Sequence, residues 1–224
     1  MFPEDASYQE KVNFFRDKVT IYPVSCEPLA NGRSDLEWLE GVISGGAKIV
    51  QLRDKYSDDR AFYQKALIFR EKTNNTGALF IVNNRLDIAL LAGADGIHLG
   101  NNDLPAEKVR ELGPKLIIGV SCNKPEQAAT AKERGASYFN IGPIYRTETK
   151  KNLTPFLGSD AIESFLALCN LPFTVMGGVK RDHLQDLAAK GARRIAVVTA
   201  LTQTKDIAAE TRLWIEAIDK ASAR

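Results

Sequence analysis

The stretch from Ala78 to Gly100 reads ALFIVNNRLDIALLAGADGIHLG. Its two ends, ALFIVN (78–83) and DGIHLG (95–100), are short apolar runs of strand length. Its centre, NRLDIALLAG, carries apolar residues at helical spacing, opens on Asn and closes on Gly93. A strand, a helix and a second strand in that order form a crossover unit, and a crossover makes the two strands parallel.

The same alternation recurs on both sides of this unit. Further candidate strands are VTIYPVS (19–25), AKIVQLR (47–53), LIIGVS (116–121), SYFNIG (137–142), PFTVMG (172–177) and RRIAVVT (193–199). Amphipathic stretches such as SDDRAFYQKALIFREKT and TKDIAAETRLWIEAIDKA separate or follow them, and several close on glycine, at Gly113, Gly135 and Gly191. Eight strands alternating with eight helices predict an α/β fold with parallel strands, and that count is the (β/α)8, or TIM, barrel. An open doubly wound sheet is the competing arrangement, and no GxGxxG follows the first strand to support it. No linker divides the chain, so residues 19–224 read as one barrel domain and residues 1–18 as an N-terminal arm or helix.

Bulk composition narrows the function classes. The chain has 224 residues, 44% hydrophobic and 26% charged, with a net charge of +2. That charge is too small to argue for nucleic acid or a membrane surface as partner. Cys26, Cys122 and Cys169 are widely spaced, and the two histidines, His98 and His183, stand in no metal-binding pattern with them. A disulfide framework and a structural zinc site are therefore not expected. A charged N-terminus and the lack of a membrane-length apolar run point to a cytoplasmic protein. A homo-oligomer is compatible with the sequence and not required by it.

A barrel places its active site on the loops after the strands, which directs attention to the residues there. After the second strand, QLRDK puts Gln51, Arg53 and Lys55 on one face and Leu52 on the other, an arrangement suited to an anion or to a surface turn. After the third come Asn83 and Asn84, which either contact a ligand or metal or cap the next helix. After the fourth comes Asp103, a helix cap or a Mg²⁺ ligand, and His98 lies within that strand as a core or catalytic histidine. Ser121 and Cys122 end the fifth strand with no base beside them in sequence, so covalent catalysis is unsupported and Cys122 reads as a packing residue. The sixth strand runs into GPIYRTETKK (142–151), where Thr147, Thr149 and Lys150 offer donors suited to a phosphate. Gly177-Gly178 and Val198-Thr199 follow strands seven and eight, where barrels often bind phosphate. Two anion-binding corners result, with no nucleophile and no acid–base pair, which suggests chemistry driven by stabilising a leaving group.

QLRDK, VNNRLDIALLAGADGIHLGNNDLP, IGVS, GPIYRTETKK, MGGV and AVVTA stand in the order and spacing of the thiamine-phosphate synthase family, which the chain resembles from about Tyr22 to Leu201. The resemblance implies a (β/α)8 barrel that joins an aminopyrimidine diphosphate to a thiazole phosphate, both small phosphorylated molecules, and releases diphosphate. It implies that Gln51, Leu52, Arg53, Asp54, Lys55, Asn83, Ser121 and Lys150 bind the pyrimidine diphosphate. Arg53, Lys55, Ser121 and Lys150 would be the catalytic groups. Thr147, Glu148, Thr149, Gly178, Val198 and Thr199 would hold the thiazole phosphate, and Asp103 with Asn84 would hold Mg²⁺. The sequence departs from the family at Asn84, where the family has an aspartate ligand, and at Cys122-Asn123, where Thr-His is common. The alternatives these departures raise are a thiazole tautomerase, using His98 or Cys122 as acid–base group, and a non-catalytic protein that binds thiamine precursors.

Overall fold

The computed structural model describes residues 6–147 and 156–223. The strands are β1 (Ile21–Pro23), β2 (Ile49–Leu52), β3 (Leu79–Asn83), β4 (Gly96–Leu99), β5 (Ile117–Cys122), β6 (Tyr138–Ile141), β7 (Phe173–Met176) and β8 (Ile195–Val197). Each falls within two residues of the ends of its candidate run. All pair in parallel in the order β1-β8-β7-β6-β5-β4-β3-β2. A parallel bridge from Val24 to Gln51, with Ser25 N donating to Gln51 O at 2.9 Å, joins the two ends of that order and closes the barrel.

The helices are α1 (Tyr8–Lys18), α2 (Asp35–Ser44), α3 (Asp59–Thr76), α4 (Leu86–Leu91), α5 (Ala106–Leu112), α6 (Pro125–Ala131), α7 (Ala161–Leu166), α8 (Leu184–Ala189), α9 (Thr199–Thr202) and α10 (Ile207–Ser222). Helices α2 to α8 each follow one strand, and α10 follows the last. The short α9, which the spacing did not predict, turns directly out of β8. Side chains replace missing backbone acceptors at several helix starts: Ser34 with Glu37 forms a capping box on α2, Asp58 caps α3 and Asp206 caps α10.

Alternation along the strands sorts the core into two shells. Outward residues such as Leu52, Phe80, Phe139 and Val175 pack against the helices with Trp38, Phe69 and Phe165. Inward residues in the lower half, among them Ile49, Ile81, Ile117 and Tyr138, form a separate cluster with Phe15 of α1. Residues 1–18 thus contain a helix that seals the N-terminal mouth of the barrel. Ser7 and Glu10 start it with a capping box. Phe15 stacks on Tyr138 with ring centroids 4.3 Å apart. Buried Arg194 donates to the carbonyls of Phe15 (3.1 Å), Arg16 (2.5 Å) and Phe173 (3.3 Å). Burial lowers its pKa to about 10, so it remains charged at neutral pH while capping the end of α1. No described helix is long and apolar enough to cross a membrane.

Candidate active site

With the N-terminal mouth sealed by α1, the upper half of the barrel is left as an open cavity of about 370 Å³. Its floor is polar because the upper inward positions carry Gln51, Asn83, His98, Ser121, Asn140 and Thr174. Its rim includes Arg53, Lys55, Asp103, Thr147, Gly178 and Thr199.

Most of the floor is one hydrogen-bonded chain that crosses the barrel. Asn83 Nδ2 donates to Gln51 Oε1 at 2.9 Å, and Gln51 Nε2 donates to Tyr22 Oη at 2.8 Å. Tyr22 Oη lies 2.8 Å from Tyr138 Oη, which lies 3.1 Å from His98 Nδ1. His98 Nε2 lies 3.0 Å from Ser121 Oγ. Both tyrosines are fully buried, and burial pushes each phenol's pKa upward, so both keep their protons. Tyr22 already accepts from Gln51, which directs its own proton to Tyr138 and Tyr138's proton to His98 Nδ1. The remaining His98 proton then sits on Nε2 and is donated to Ser121. Gly119 makes this possible: a Cβ there would stand 2.1 Å from Tyr138 Cζ and 2.6 Å from His98 Nδ1. The chain has a direction, with the Asn83 carbonyl as an acceptor at one end and the Ser121 hydroxyl as a donor at the other.

The chain revises two readings of the sequence. Ser121 does have a histidine beside it, across the barrel rather than along the chain. The direction of the protons nevertheless makes His98 a donor to Ser121 and not a base for it, so the pair is no activated nucleophile. His98, read as either core or catalytic, is a half-buried member of the floor. Cys122 is buried, and burial pushes its thiol up to about 12, which removes it as an acid–base group at neutral pH.

At the rim, Asn84 and Asp103 meet. Asn84 Nδ2 donates to Asp103 Oδ1 at 2.7 Å, and Gly100 N donates to Asp103 Oδ2 at 2.6 Å. The capping readings fail here: the cap positions of α4 and α5 are Arg85 and Pro105, and neither helix has a side-chain cap. Asp103 is the one carboxylate lining the cavity among the described residues. No group of three His, Cys, Asp or Glu side chains suited to a metal occurs among them either. Asn123 ties neighbouring loops together, donating to Gly142 O and accepting from Asn101 Nδ2.

Not every residue of QLRDK faces the cavity. Gln51, Arg53 and Lys55 line it, as alternation predicted. Leu52 is buried in the outer core, so its side chain is remote from any ligand. Asp54 also turns away: its Oδ1 accepts from the backbone of Tyr56 and Ser57, and its Oδ2 accepts from Lys65 Nζ at 2.7 Å. Lys65 also holds Asp35 (2.9 Å) and Glu27 (3.1 Å). These two side chains are therefore corrected from ligand contacts to packing and loop anchoring.

Thr147, Gly178, Val198 and Thr199 line the opposite side, at the ends of β6, β7 and β8. Gly178 has φ +63°, and a Cβ there would stand 2.2 Å from Arg146 O. The glycine is needed to let the loop after β6 pass, a reason the sequence reading did not include. Glu148, Thr149 and Lys150 lie outside the described residues.

Residues 21–201 match the thiamine monophosphate synthase family. The chain belongs to this family. A thiamine-phosphate synthase of Methanospirillum hungatei is 42% identical over 197 residues, 88% of this chain and 96% of that one. The thiamine-phosphate synthase of Pelotomaculum thermopropionicum is 40% identical over 193 residues, 86% of this chain and 88% of that one. Among solved structures, the thiamine phosphate pyrophosphorylase of Pyrococcus furiosus superposes with a TM-score of 0.84 at 28% identity, covering 92% of this chain and 98% of that one. The chain is thus a thiamine-phosphate synthase, a transferase acting on small phosphorylated substrates, and the tautomerase and binding-protein alternatives give way to it.

Proposed function

We propose that the cavity joins the aminopyrimidine diphosphate to the thiazole phosphate by a dissociative substitution, in which diphosphate leaves before the thiazole nitrogen attacks. The observation that carries this reading is a cationic rim above a neutral floor whose serine is not activated. Arg53 and Lys55 stand where they can take charge developing on departing diphosphate, and among the described residues no side chain is set up to form a covalent intermediate. The aminopyrimidine lies on the floor, where the Asn83 carbonyl accepts from its amino group and the Ser121 hydroxyl donates to a ring nitrogen. Thr147, Gly178, Val198 and Thr199, beside the short α9, hold the thiazole phosphate at the position barrels favour for that group. Glu148, Thr149 and Lys150 belong to the same reading, with Lys150 on the diphosphate.

The donors at the rim fit Mg²⁺. A carboxylate and an amide oxygen are hard ligands, and this ion commonly takes one or two carboxylates and completes its shell with water and substrate phosphate. Asp103 would hold it, joined by Asn84 once that amide turns its oxygen inward. When bound it supplies positive charge to the diphosphate. A cytoplasmic location belongs to this proposal, supported by three cysteines that are all unpaired.

The test is direct. Purified protein mixed with both substrates and saturating Mg²⁺ forms thiamine phosphate and diphosphate, read by chromatography. Absence of product under those conditions would refute the proposal.

A further inference from the structure

Asn140 is the one floor amide outside the crossing chain, and its surroundings define a ligand contact. It lies at the centre of β6, is 8% exposed and lines the cavity. The strand register sets it level with Ser121 on β5 and Thr174 on β7. Thr174, 1% exposed, donates its hydroxyl to Asn140 Oδ1 at 2.8 Å. That bond occupies the carbonyl side of the amide and fixes which way it faces. The Nδ2 group points up the strand toward Gly142, 3.5 Å from where a Cβ on that glycine would stand. It meets no protein acceptor among the described residues. The group faces the open cavity, so a bound ligand can supply the acceptor that the protein does not.

The chemistry of this donor selects its partner. No charged side chain shares the floor with Asn140; the cations and Asp103 are on loops at the rim. An amide with no cation beside it suits a neutral acceptor better than the diphosphate, whose charge the rim cations meet. The thiazole ring is excluded because its nitrogen must keep its lone pair free to attack and its sulfur accepts only weakly. The aminopyrimidine has ring nitrogens with free lone pairs. We infer that Asn140, oriented by Thr174, donates a hydrogen bond to a ring nitrogen of the aminopyrimidine and determines specificity for that ring. This rests on the proposal that the pyrimidine occupies the floor.

A donor on the ring withdraws electrons and does not assist departure of diphosphate, so the contact acts on binding rather than on the chemical step. Asn140→Leu, close in size and without the donor, is expected to raise KM for the pyrimidine diphosphate about tenfold. KM for the thiazole phosphate should stay unchanged, and kcat should remain within about threefold. Thr174→Val, which frees the amide to turn, should raise the same KM by a smaller factor. An unchanged pyrimidine KM, or an equal rise for both substrates, overturns the inference. The wild-type enzyme gives an independent measurement: two non-hydrolysable pyrimidine diphosphate analogues, each with one ring nitrogen replaced by CH, are compared as competitive inhibitors with the parent analogue. Ser121 accounts for one nitrogen and Asn140 for the other, so both should bind about tenfold more weakly, and an analogue that keeps the parent's affinity overturns the inference even where a variant fails to fold. A wild type that forms no thiamine phosphate refutes the functional proposal itself, whereas an active wild type indifferent to these changes refutes only the role of Asn140.

Discussion

Asn84 holds a backbone conformation with φ +66°, which asparagine tolerates better than most residues, and directs its amide nitrogen at Asp103. An aspartate at this position would bring two carboxylates together and attract a divalent ion. The amide instead holds Asp103 Oδ1 in a hydrogen bond that must break before the amide oxygen can serve as a ligand. The Mg²⁺ concentration giving half-maximal activity should therefore fall about tenfold in Asn84→Asp, a difference of about 1.4 kcal/mol. Calorimetric titration of Mg²⁺ in the presence of diphosphate should move in parallel. Identical titrations for the two proteins would show that the interlock is without consequence.

Single residues also mark the limit of sequence reading. That Arg53, Lys55 and Asp103 line the cavity was legible because they stand on loops at strand ends, where a barrel opens. Tyr22 and Tyr138 were not, because inside VTIYPVS and SYFNIG they look like ordinary strand residues. Their hydroxyls matter only because β1 and β6 face each other across the barrel. The Ser121–His98 contact was hidden for the same reason. Asp54 entered the ligand set through the family resemblance alone, which does not say that Lys65, on the following helix, draws its side chain outward.

At the scale of elements, Lys65 of α3 clasps three segments: the turn after β1 through Glu27, the start of α2 through Asp35, and the loop after β2 through Asp54. Burial pulls the Asp54 carboxyl upward, but hydrogen bonds from Lys65 and Ser57 outweigh it and hold its pKa well below the usual range. Burial dominates at Asp35 and raises its pKa despite Lys65. A lowered Asp54 pKa stabilises the fold above its unfolded value near 3.9, and that stability is lost as the pH falls below it. Asp35 acts in the opposite sense and above that value, where its raised pKa costs stability as the pH rises. Lys65→Met leaves the carboxylates without their cation, so the fold should lose on the order of 3 kcal/mol at pH 7. The loss should shrink at pH 3.5, where the variant's carboxylates, no longer facing a cation, take up protons. Urea unfolding of both proteins at the two pH values checks this, and an equal loss at both would dismiss the clasp. The strands themselves were legible to within two residues because buried parallel strands are nearly continuous apolar runs. The short α9 has too few residues to show a period.

For the whole molecule, α1 decides that the cavity opens on one side only. Phe15 is 1% exposed and fills the lower barrel against Tyr22 and Tyr138, whose hydroxyls carry the floor above. Phe15→Ala should cost about 3–5 kcal/mol in a denaturant titration. Product formation should fall as well, because the tyrosines lose the ring that positions them. Unchanged stability would mean that the lower barrel is closed without α1.

The bond from Arg194 to Phe15 O spans 179 positions of sequence. A ribosome releases Phe15 long before it has made Arg194, so α1 emerges with its aromatic side chain and its terminal carbonyls waiting for a partner near the other end of the chain. The barrel therefore cannot be sealed during synthesis. Its first helix must stay docked loosely, or be shielded, until almost the last strand is available.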